Sequence, residues 1–227
     1  MAISLTLMAC GGGGQKGAQP GDADKAATDP ADMVAKYVVQ PTLATPVEQL
    51  TPPTAEEVGP KDEVALLDTE WGRIVLEFYP DLAPVHVANF KKLSNAGFYD
   101  GCTFHRVVPG FVIQGGDPNS KDDDPMNDGS GGPPWHVNAE FNDVKHVKGI
   151  LSMARSQDPN SAGSQFFICL DRAPHLDNSY TVFGKVIFGQ GVVDDIGSEK
   201  RDPRADADKP PVKIRAVRII QRSELGL

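Results

Sequence analysis

The stretch that decides the fold is residues 104–117, which read Phe-His-Arg-Val-Val-Pro-Gly-Phe-Val-Ile-Gln-Gly-Gly-Asp. Alternation with a period of two predicts a strand with Phe104 and Arg106 on one face and His105 on the other. A Pro-Gly pair then predicts a turn, and a second extended run ends at two glycines. The pattern therefore predicts a hairpin-like element that presents Arg106, Phe111 and Gln114 together. An arginine in a strand can also simply reach solvent, so the pattern alone leaves the role of Arg106 open.

Many short strands with turn signals follow along the chain, and this pattern favours a barrel or a sandwich. Strands are predicted at residues 64–67, 73–78, 149–154, 166–170, 181–187 and 212–220. A helix is predicted to begin near Pro84, to bury Val87 and Phe90, and to end at Gly97. A shorter helix is predicted at residues 191–196.

Composition excludes several classes of function. The chain has 227 residues, with 31 Asp plus Glu against 22 Lys plus Arg and a formal charge of -9, so a basic surface for nucleic acid is not expected. Three Cys and five His are too few and too scattered for a disulfide scaffold or a structural zinc site. No apolar run reaches the roughly 20 residues that a membrane-spanning helix needs.

The cysteines, two histidines and an aspartate-rich loop are predicted to be structural rather than functional. Cys102 and Cys169 are expected to be buried thiols, and their spacing leaves open whether they pair. His86 and His105 lack an evident carboxylate or nucleophile partner nearby in sequence, so both are predicted to be packing or surface histidines. Residues 118–138 form a polar insertion whose consecutive aspartates do not match a calcium loop, which favours a solvated loop.

The amino-terminal residues indicate a lipid anchor. Residues 1–10 end in Leu-Met-Ala-Cys before Gly11, which looks like a bacterial lipobox with Cys10 as the lipidated residue. The apolar run is short and no Lys or Arg precedes it, so a chance cysteine and a cytoplasmic protein remain the alternative. Residues 11–61 are rich in Gly, Ala and Pro and are predicted to be a disordered tether. A folded domain over residues 62–222 and a tail at residues 223–227 complete the predicted organisation.

Two long motifs resemble the signature of the cyclophilins, which are peptidyl-prolyl cis-trans isomerases. The first is the stretch 104–117, and the second is Gly-Ile-Leu-Ser-Met-Ala-Arg at 149–155 followed by Asn-Ser-Ala-Gly-Ser-Gln-Phe-Phe-Ile at 160–168. A weaker match covers His175-Leu176-Asp177 and residues 180–186. The similarity spans about residues 62–222. It implies an all-β fold, a closed eight-stranded antiparallel barrel with two capping helices and a peptide groove on its outer face.

The resemblance also implies the residues of the site. Arg106, Phe111 and Gln114 would be catalytic, with Arg106 bonding the prolyl nitrogen of the twisted amide. The substrate-binding residues would be Val112, Met153, Ala154, Arg155, Gln165, Phe167, His175, Leu176 and Tyr180. No cofactor or metal is implied. The expected partners are proline-containing peptides and unfolded proteins, and we expect a monomer held at the bacterial cell envelope by Cys10.

The chain departs from the best-known cyclophilins at the rim of the groove. His175 stands where many members have tryptophan, Arg155 replaces an asparagine, and Tyr180 replaces a histidine. These changes predict weak binding of cyclosporin and an altered substrate preference. A proline-recognition or holdase module without turnover is the main alternative function, and an adhesion domain is a third.

Overall fold

The computed structural model of the protein describes residues 29–40, 42, 45–202, 205–206 and 209–227. Its eight strands are β1 (Glu63–Thr69), β2 (Gly72–Phe78), β3 (Arg106–Val108), β4 (Val112–Gly115), β5 (Ile150–Met153), β6 (Phe166–Cys169), β7 (Val182–Phe188) and β8 (Ile214–Gln221). Its α-helices are α1 (Pro30–Lys36), α2 (Pro84–Asn95) and α3 (Gln190–Ser198). The predicted strands and the two predicted helices are therefore confirmed, and α1 lies within the segment predicted to be a tether. No helix in the described ranges is long and apolar enough to cross a membrane.

The strands form one antiparallel sheet in the order β3-β4-β6-β5-β7-β2-β1-β8. The predicted closed barrel is wrong, because the edge strands β3 and β8 do not pair and the sheet is an open, curled half-barrel. β3 contains only three residues, and the chain before it meets the β8 side at the isolated bridge between Thr103 and Lys213. Backbone hydrogen bonds of 2.7–2.9 Å join residues 101–104 to residues 212–214, but β3 itself forms no ladder with β8.

The inner face of the sheet and helices α2 and α3 enclose the main core. Phe90 of α2 is fully buried, and its ring lies 4.9 Å from that of Tyr99 and 5.5 Å from that of Phe166. Val193 and Ile196 contribute the buried side of α3. Stacked and edge-to-face rings hold α2 on the sheet, and aliphatic packing holds α3.

Phe104 faces the core, although the predicted alternation of residues 104–117 places it on the same face as Arg106. Phe104 is buried in the main core together with Val107, and so it does not share the face of Arg106. The reason is that β3 begins only at Arg106, so the alternation of a pleated strand does not extend back to Phe104.

Part of the predicted tether is packed on the domain. Val34 of α1 is fully buried, in an apolar cluster on the outer face of the sheet that includes Val64 and Ile220. The Arg73 guanidinium donates hydrogen bonds to the carbonyls of Val34 and Ala35. The expectation of a tether up to residue 61 is therefore wrong for the described residues 29–40, whose apolar side chains pack on β1, β2 and β8. It is also wrong for residues 45–61, where Val47, Leu50 and Val58 pack against the main core and α2 donates hydrogen bonds to the segment. Cys10 and the rest of residues 1–28 lie outside the described residues.

The last residues also belong to the fold rather than to a tail. Arg222–Leu225 form a 3-10 turn, and Leu225 is fully buried in the same outer cluster as Val34. The predicted tail at residues 223–227 is therefore wrong, because Leu225 is buried in this cluster and Leu227 packs against it.

Candidate active site

The hairpin of β3 and β4 sets the first two side chains of the site. Arg106 is paired with Gln114 across the hairpin, and Gln114 is paired with Phe167 of β6. Directly opposed residues point to the same face of a sheet, so these three side chains lie together on the outer face. The predicted hairpin is confirmed, and its register is what brings the cation and the amide together.

A pocket of about 260 Å³ lies on this outer face. It is lined by Arg106, Phe111, Val112, Gln114, Ala154, Arg155, Phe167, Leu176 and Tyr180. All nine are among the residues expected at the groove. Its floor belongs to a second apolar cluster, separate from the main core, in which Val112, Phe167 and Leu176 are at least nine-tenths buried. The pocket is apolar at its base and carries guanidinium and amide groups at its walls.

The remaining three expected residues do not line this pocket. Met153 is 1% exposed in the main core, so its placement in the groove is wrong. The reason is strand alternation, since Met153 is paired with the core residue Phe166, whereas Ser152 is paired with Phe167. Gln165 lies beside the pocket, and His175 stacks on Phe111 at the rim with ring centroids 5.3 Å apart.

Hydrogen bonds join the polar groups of the site into a chain. Arg106 Nη1 lies 3.4 Å from Gln114 Oε1, Gln114 Nε2 donates to Gln165 Oε1 at 3.0 Å, and Gln165 Nε2 donates to the Gly131 carbonyl at 3.0 Å. The contact to Arg106 is long, so Gln114 orients the guanidinium without occupying all of its hydrogen-bond donors. No ion pair links Arg106 to a carboxylate within the part of the chain that the structure describes.

The loop that supplies Gly131 is folded around a buried carboxylate. Asp117 is fully buried, and its oxygens accept hydrogen bonds from the backbone N–H groups of Asn119 at 2.8 Å, of Gly129, and of Gly131 at 3.2 Å. A Cβ on Gly131 would lie 2.3 Å from Asp117 Oδ1, so only glycine fits there. The three consecutive aspartates at 122–124 are exposed, as predicted for a solvated loop.

The loop also forms one side of a second pocket. This pocket, of about 590 Å³, shares Gln114, Ala154, Arg155 and Gln165 with the predicted groove residues. Glycines 129, 131 and 132 and His136 line it as well. The two pockets together make an extended groove across the outer face of the sheet.

Sequence reasoning missed a buried network that supports the wall of the first pocket. His146 Nε2 lies 3.0 Å from Ser152 Oγ, and His146 Nδ1 lies 3.2 Å from Asp177 Oδ1. The imidazole stacks on Phe167, with centroids 6.0 Å apart and an angle of 22°. The order Ser, His, Asp is that of a hydrolase triad. Ser152 and His146 are fully buried, so no substrate can reach the hydroxyl, and the network holds the ring of Phe167 instead.

Electrostatics keep this network in one arrangement. The Arg172 guanidinium bonds both oxygens of Asp177 and, with the backbone N–H of His146, holds the pKa of that carboxyl well below its usual range. Burial lowers the pKa of His146, so the imidazole is neutral near pH 7. A neutral ring can donate from Nδ1 to Asp177, and the single proton of the Ser152 hydroxyl lies within reach of two acceptors, His146 Nε2 and the Thr181 carbonyl at 2.9 Å.

The other titratable side chains singled out from the sequence are structural. Cys102 and Cys169 are both free and buried, and burial raises the pKa of each thiol to about 12. His105 is buried, and desolvation lowers its pKa to about 4. His86 is buried too, but its Nδ1 lies 2.6 Å from Glu140 Oε2, a partner that sequence spacing did not indicate. None of the four lines either pocket, although Cys169 belongs to the apolar cluster beneath the first.

Comparison with known proteins agrees with this geometry. The family described as "Cyclophilin type peptidyl-prolyl cis-trans isomerase/CLD" matches residues 64–219. A probable peptidyl-prolyl cis-trans isomerase of Brucella abortus is 46% identical over 168 residues, which cover 71% of this chain and 84% of the relative. Peptidyl-prolyl cis-trans isomerase B of Bacillus subtilis is 50% identical over 119 residues, which cover 52% of this chain and 78% of that protein.

Solved structures show the same fold. A crystal structure of a cyclophilin-type peptidyl-prolyl cis-trans isomerase of Cryptosporidium parvum superposes with a TM-score of 0.61 at 31% identity, covering 70% of this chain and 97% of that one. The same protein was crystallised in the presence of the dipeptide Ala-Pro, and that structure superposes with a TM-score of 0.59. The family match and the named relatives identify an enzyme of the isomerase class. The chain belongs to the cyclophilin-type peptidyl-prolyl cis-trans isomerase family.

Proposed function

We propose that the enzyme holds the proline ring of an X-Pro segment in the 260 Å³ pocket while Arg106 hydrogen bonds to the prolyl nitrogen. The observation that carries the proposal is the guanidinium of Arg106 on the wall of an apolar pocket, without a carboxylate partner in the described ranges. A charge that is not neutralised by the protein is available to the substrate.

The chemistry follows from the resonance of the amide. Rotation about a peptide bond has a barrier of about 18–20 kcal/mol because the C–N bond is partly double. As the bond twists, the nitrogen becomes pyramidal and its lone pair becomes a hydrogen-bond acceptor. A donor fixed at that lone pair stabilises the twisted state more than the planar one, and only such a difference raises the rate. Arginine suits this role because it stays charged and presents a rigid fork of donors.

The rest of the pocket would hold the ring still while the preceding carbonyl swings. Phe111, Phe167 and Leu176 offer apolar surface to a pyrrolidine ring without demanding a particular neighbouring sequence. Gln114, which already bonds Arg106 and Gln165, has the donor and acceptor needed for the backbone of the substrate. The Ala-Pro dipeptide used with the relative from Cryptosporidium supports a proline dipeptide as the unit that is recognised.

The substrates would be exposed X-Pro bonds of peptides and unfolded proteins. Uncatalysed isomerisation takes tens to hundreds of seconds and limits the folding of many chains. A shallow pocket on the surface of the sheet, rather than a closed cavity, suits a long and variable chain.

A protease-coupled assay with an Ala-Pro peptide tests the proposal. The protein should accelerate isomerisation, and Arg106→Ala should lower kcat/KM by about a hundredfold while the peptide still binds. Binding of the peptide by the unaltered protein without any acceleration would instead identify a proline-recognition or holdase module.

For localisation, we propose that Cys10 is lipidated and holds the enzyme at the bacterial cell envelope. The support is the sequence Leu-Met-Ala-Cys-Gly at residues 7–11. Mass spectrometry of the mature amino terminus tests it. A diacylated or triacylated Cys10 is expected, and an unmodified Met1 would reject the anchor without touching the isomerase proposal.

A further inference from the structure

Arg155 stands at the boundary between the two pockets of the groove. It lines the 260 Å³ pocket with Arg106 and Phe167, and it lines the 590 Å³ pocket with His136. The two pockets share Gln114, Ala154 and Arg155, so they adjoin each other at these residues. A peptide that extends from a proline in the first pocket into the second therefore passes Arg155.

The guanidinium of Arg155 is fixed by neutral groups. It donates to the carbonyl of Ser179 at 2.9 Å from Nη2 and 3.2 Å from Nε, and from Nη1 to the carbonyls of Ser156 at 2.8 Å and Gln157 at 3.2 Å. Its central carbon lies 4.6 Å from the centre of the Tyr180 ring. Carbonyl dipoles and an aromatic face orient a cation, but they do not cancel its charge.

No carboxylate in the described part of the chain forms an ion pair with that guanidinium. Salt bridges there engage other arginine and lysine side chains, among them Lys148, Arg172 and Arg218, but neither Arg155 nor Arg106. Among the described residues that line either pocket there is no Asp or Glu. This contrasts with the formal charge of -9 for the whole chain. The groove thus presents two guanidinium groups that form no ion pair, in a protein that is acidic as a whole.

We propose that Arg155 is a specificity-determining residue that selects X-Pro segments carrying a carboxylate side chain within two residues of the proline. The inference rests on the proposed function and names the substrate class of the same site. A carboxylate placed there meets a guanidinium that is already oriented, so little side-chain entropy is lost when the pair forms. The pair remains partly exposed, so the preference is modest and sensitive to salt.

A structural role for Arg155 predicts a different outcome. If the side chain only pinned residues 156–157 and 179 through their carbonyls, its loss would slow all peptides equally. A charge effect changes the ratio between a Glu peptide and its isosteric Gln peptide. Arg155→Lys separates the two roles, because lysine keeps the charge and loses the rigid fork.

The experiment measures kcat/KM for proline peptides that carry Glu or Gln at each of the two positions before and after the proline. We expect at least one position at which Glu is favoured over Gln by about twofold to fivefold at low salt, with the preference falling as salt is added. Arg155→Gln should remove the preference, and Arg155→Lys should keep most of it. Arg215→Gln, which removes an exposed arginine bonded to the Thr69 carbonyl away from both pockets, is the matched control and should keep the preference.

Two results would overturn the inference separately from the isomerase proposal. If the protein isomerises all peptides but Glu and Gln are equal at every position, Arg155 does not select charge. If a preference exists and survives Arg155→Gln, another group provides it. A protein that accelerates no peptide at all would instead overturn the proposed function itself.

Discussion

The imidazole of His146 lies nearly parallel to the ring of Phe167, 6.0 Å away, while its two nitrogens contact Ser152 and Asp177. A pocket wall is thus supported from behind by a hydrogen-bonded ring. A pocket wall that positions a substrate is sensitive to small shifts, because a displacement of about 1 Å can lower the reaction rate by up to a hundredfold.

We predict that His146→Ala lowers kcat/KM for a proline peptide by about tenfold or more in the folded protein, because Phe167 loses its support. His86→Ala is the matched control, since His86 is also buried and paired with a carboxylate, but its ring lies tilted against the core residue Phe183, with centroids 6.4 Å apart. Both variants should lose stability to urea, and only His146→Ala should lose turnover per folded molecule. Equal kinetics for the two variants would contradict the supporting role.

Glycine is required at one position of the loop that borders the second pocket. A Cβ at Gly131 would lie 2.3 Å from Asp117 Oδ1, whereas at Gly132 it would meet its nearest neighbour, Ser164 Oγ, at 3.9 Å. We predict that Gly131→Ala costs about 1–3 kcal/mol of unfolding free energy, because the buried carboxylate loses backbone donors. Gly132→Ala should be nearly silent. Urea unfolding of both variants checks the pair, and equal losses would show that the clash is relieved elsewhere.

The pH dependence of stability has a specific source in Asp128. Burial and the neighbouring Asp117 raise the pKa of Asp128 to about 6 from its ordinary value of 3.8. The folded protein therefore takes up a proton before the unfolded chain does as the pH falls. The ionised carboxylate destabilises the fold fully above pH 6, and this cost fades as the pH drops toward 4.

We predict that Asp128→Asn raises the free energy of unfolding by about 1 kcal/mol at pH 8, after allowance for solvent screening, and has little effect near pH 4. Asp122→Asn is the control, because hydrogen bonds from the Asp124 N–H and Asn127 lower the pKa of that exposed carboxyl. Urea unfolding at the two pH values measures both variants. A gain for Asp128→Asn that is as large at pH 4 as at pH 8 would refute the assignment.

The amino-terminal helix supplies a further test. Val34 is fully buried on the outer face of the sheet, whereas Val38 is 70% exposed. We predict that Val34→Asp costs about 3 kcal/mol or more, because it buries a carboxylate without a partner, and that Val38→Asp costs almost nothing. Thermal unfolding compares the two. Equal melting temperatures would mean that α1 contributes nothing to the fold in solution.

Local patterns in the sequence predicted most of what is local in the structure. The alternation and the Pro-Gly turn of residues 104–117 were enough to place Arg106 and Gln114 on one face, because a two-strand register depends on neighbouring residues. The resemblance predicts that Met153 lines the groove, and this prediction is wrong. Strand alternation sets Met153 opposite the core residue Phe166, so its side chain faces the core.

What the sequence could not predict depends on distant partners. His146 and Asp177 are 31 residues apart, so their contact has no local signal. The docking of Val34 required knowledge of an apolar outer face built from three separate strands, and the gap between β3 and β8 depended on where a short edge strand begins. These features come from tertiary packing, which overrides local preference.

We propose that the planar guanidinium of Arg106 stabilises the twisted prolyl amide. The substitution Arg106→Lys tests this proposal most directly. Lysine keeps the positive charge but replaces the fixed fork with a mobile, strongly hydrated ammonium. The measurement is kcat for an Ala-Pro peptide at saturating substrate, with urea unfolding as the check on folding. We expect kcat to fall by at least tenfold in a protein of unchanged stability, whereas a variant as fast as its parent would contradict the account.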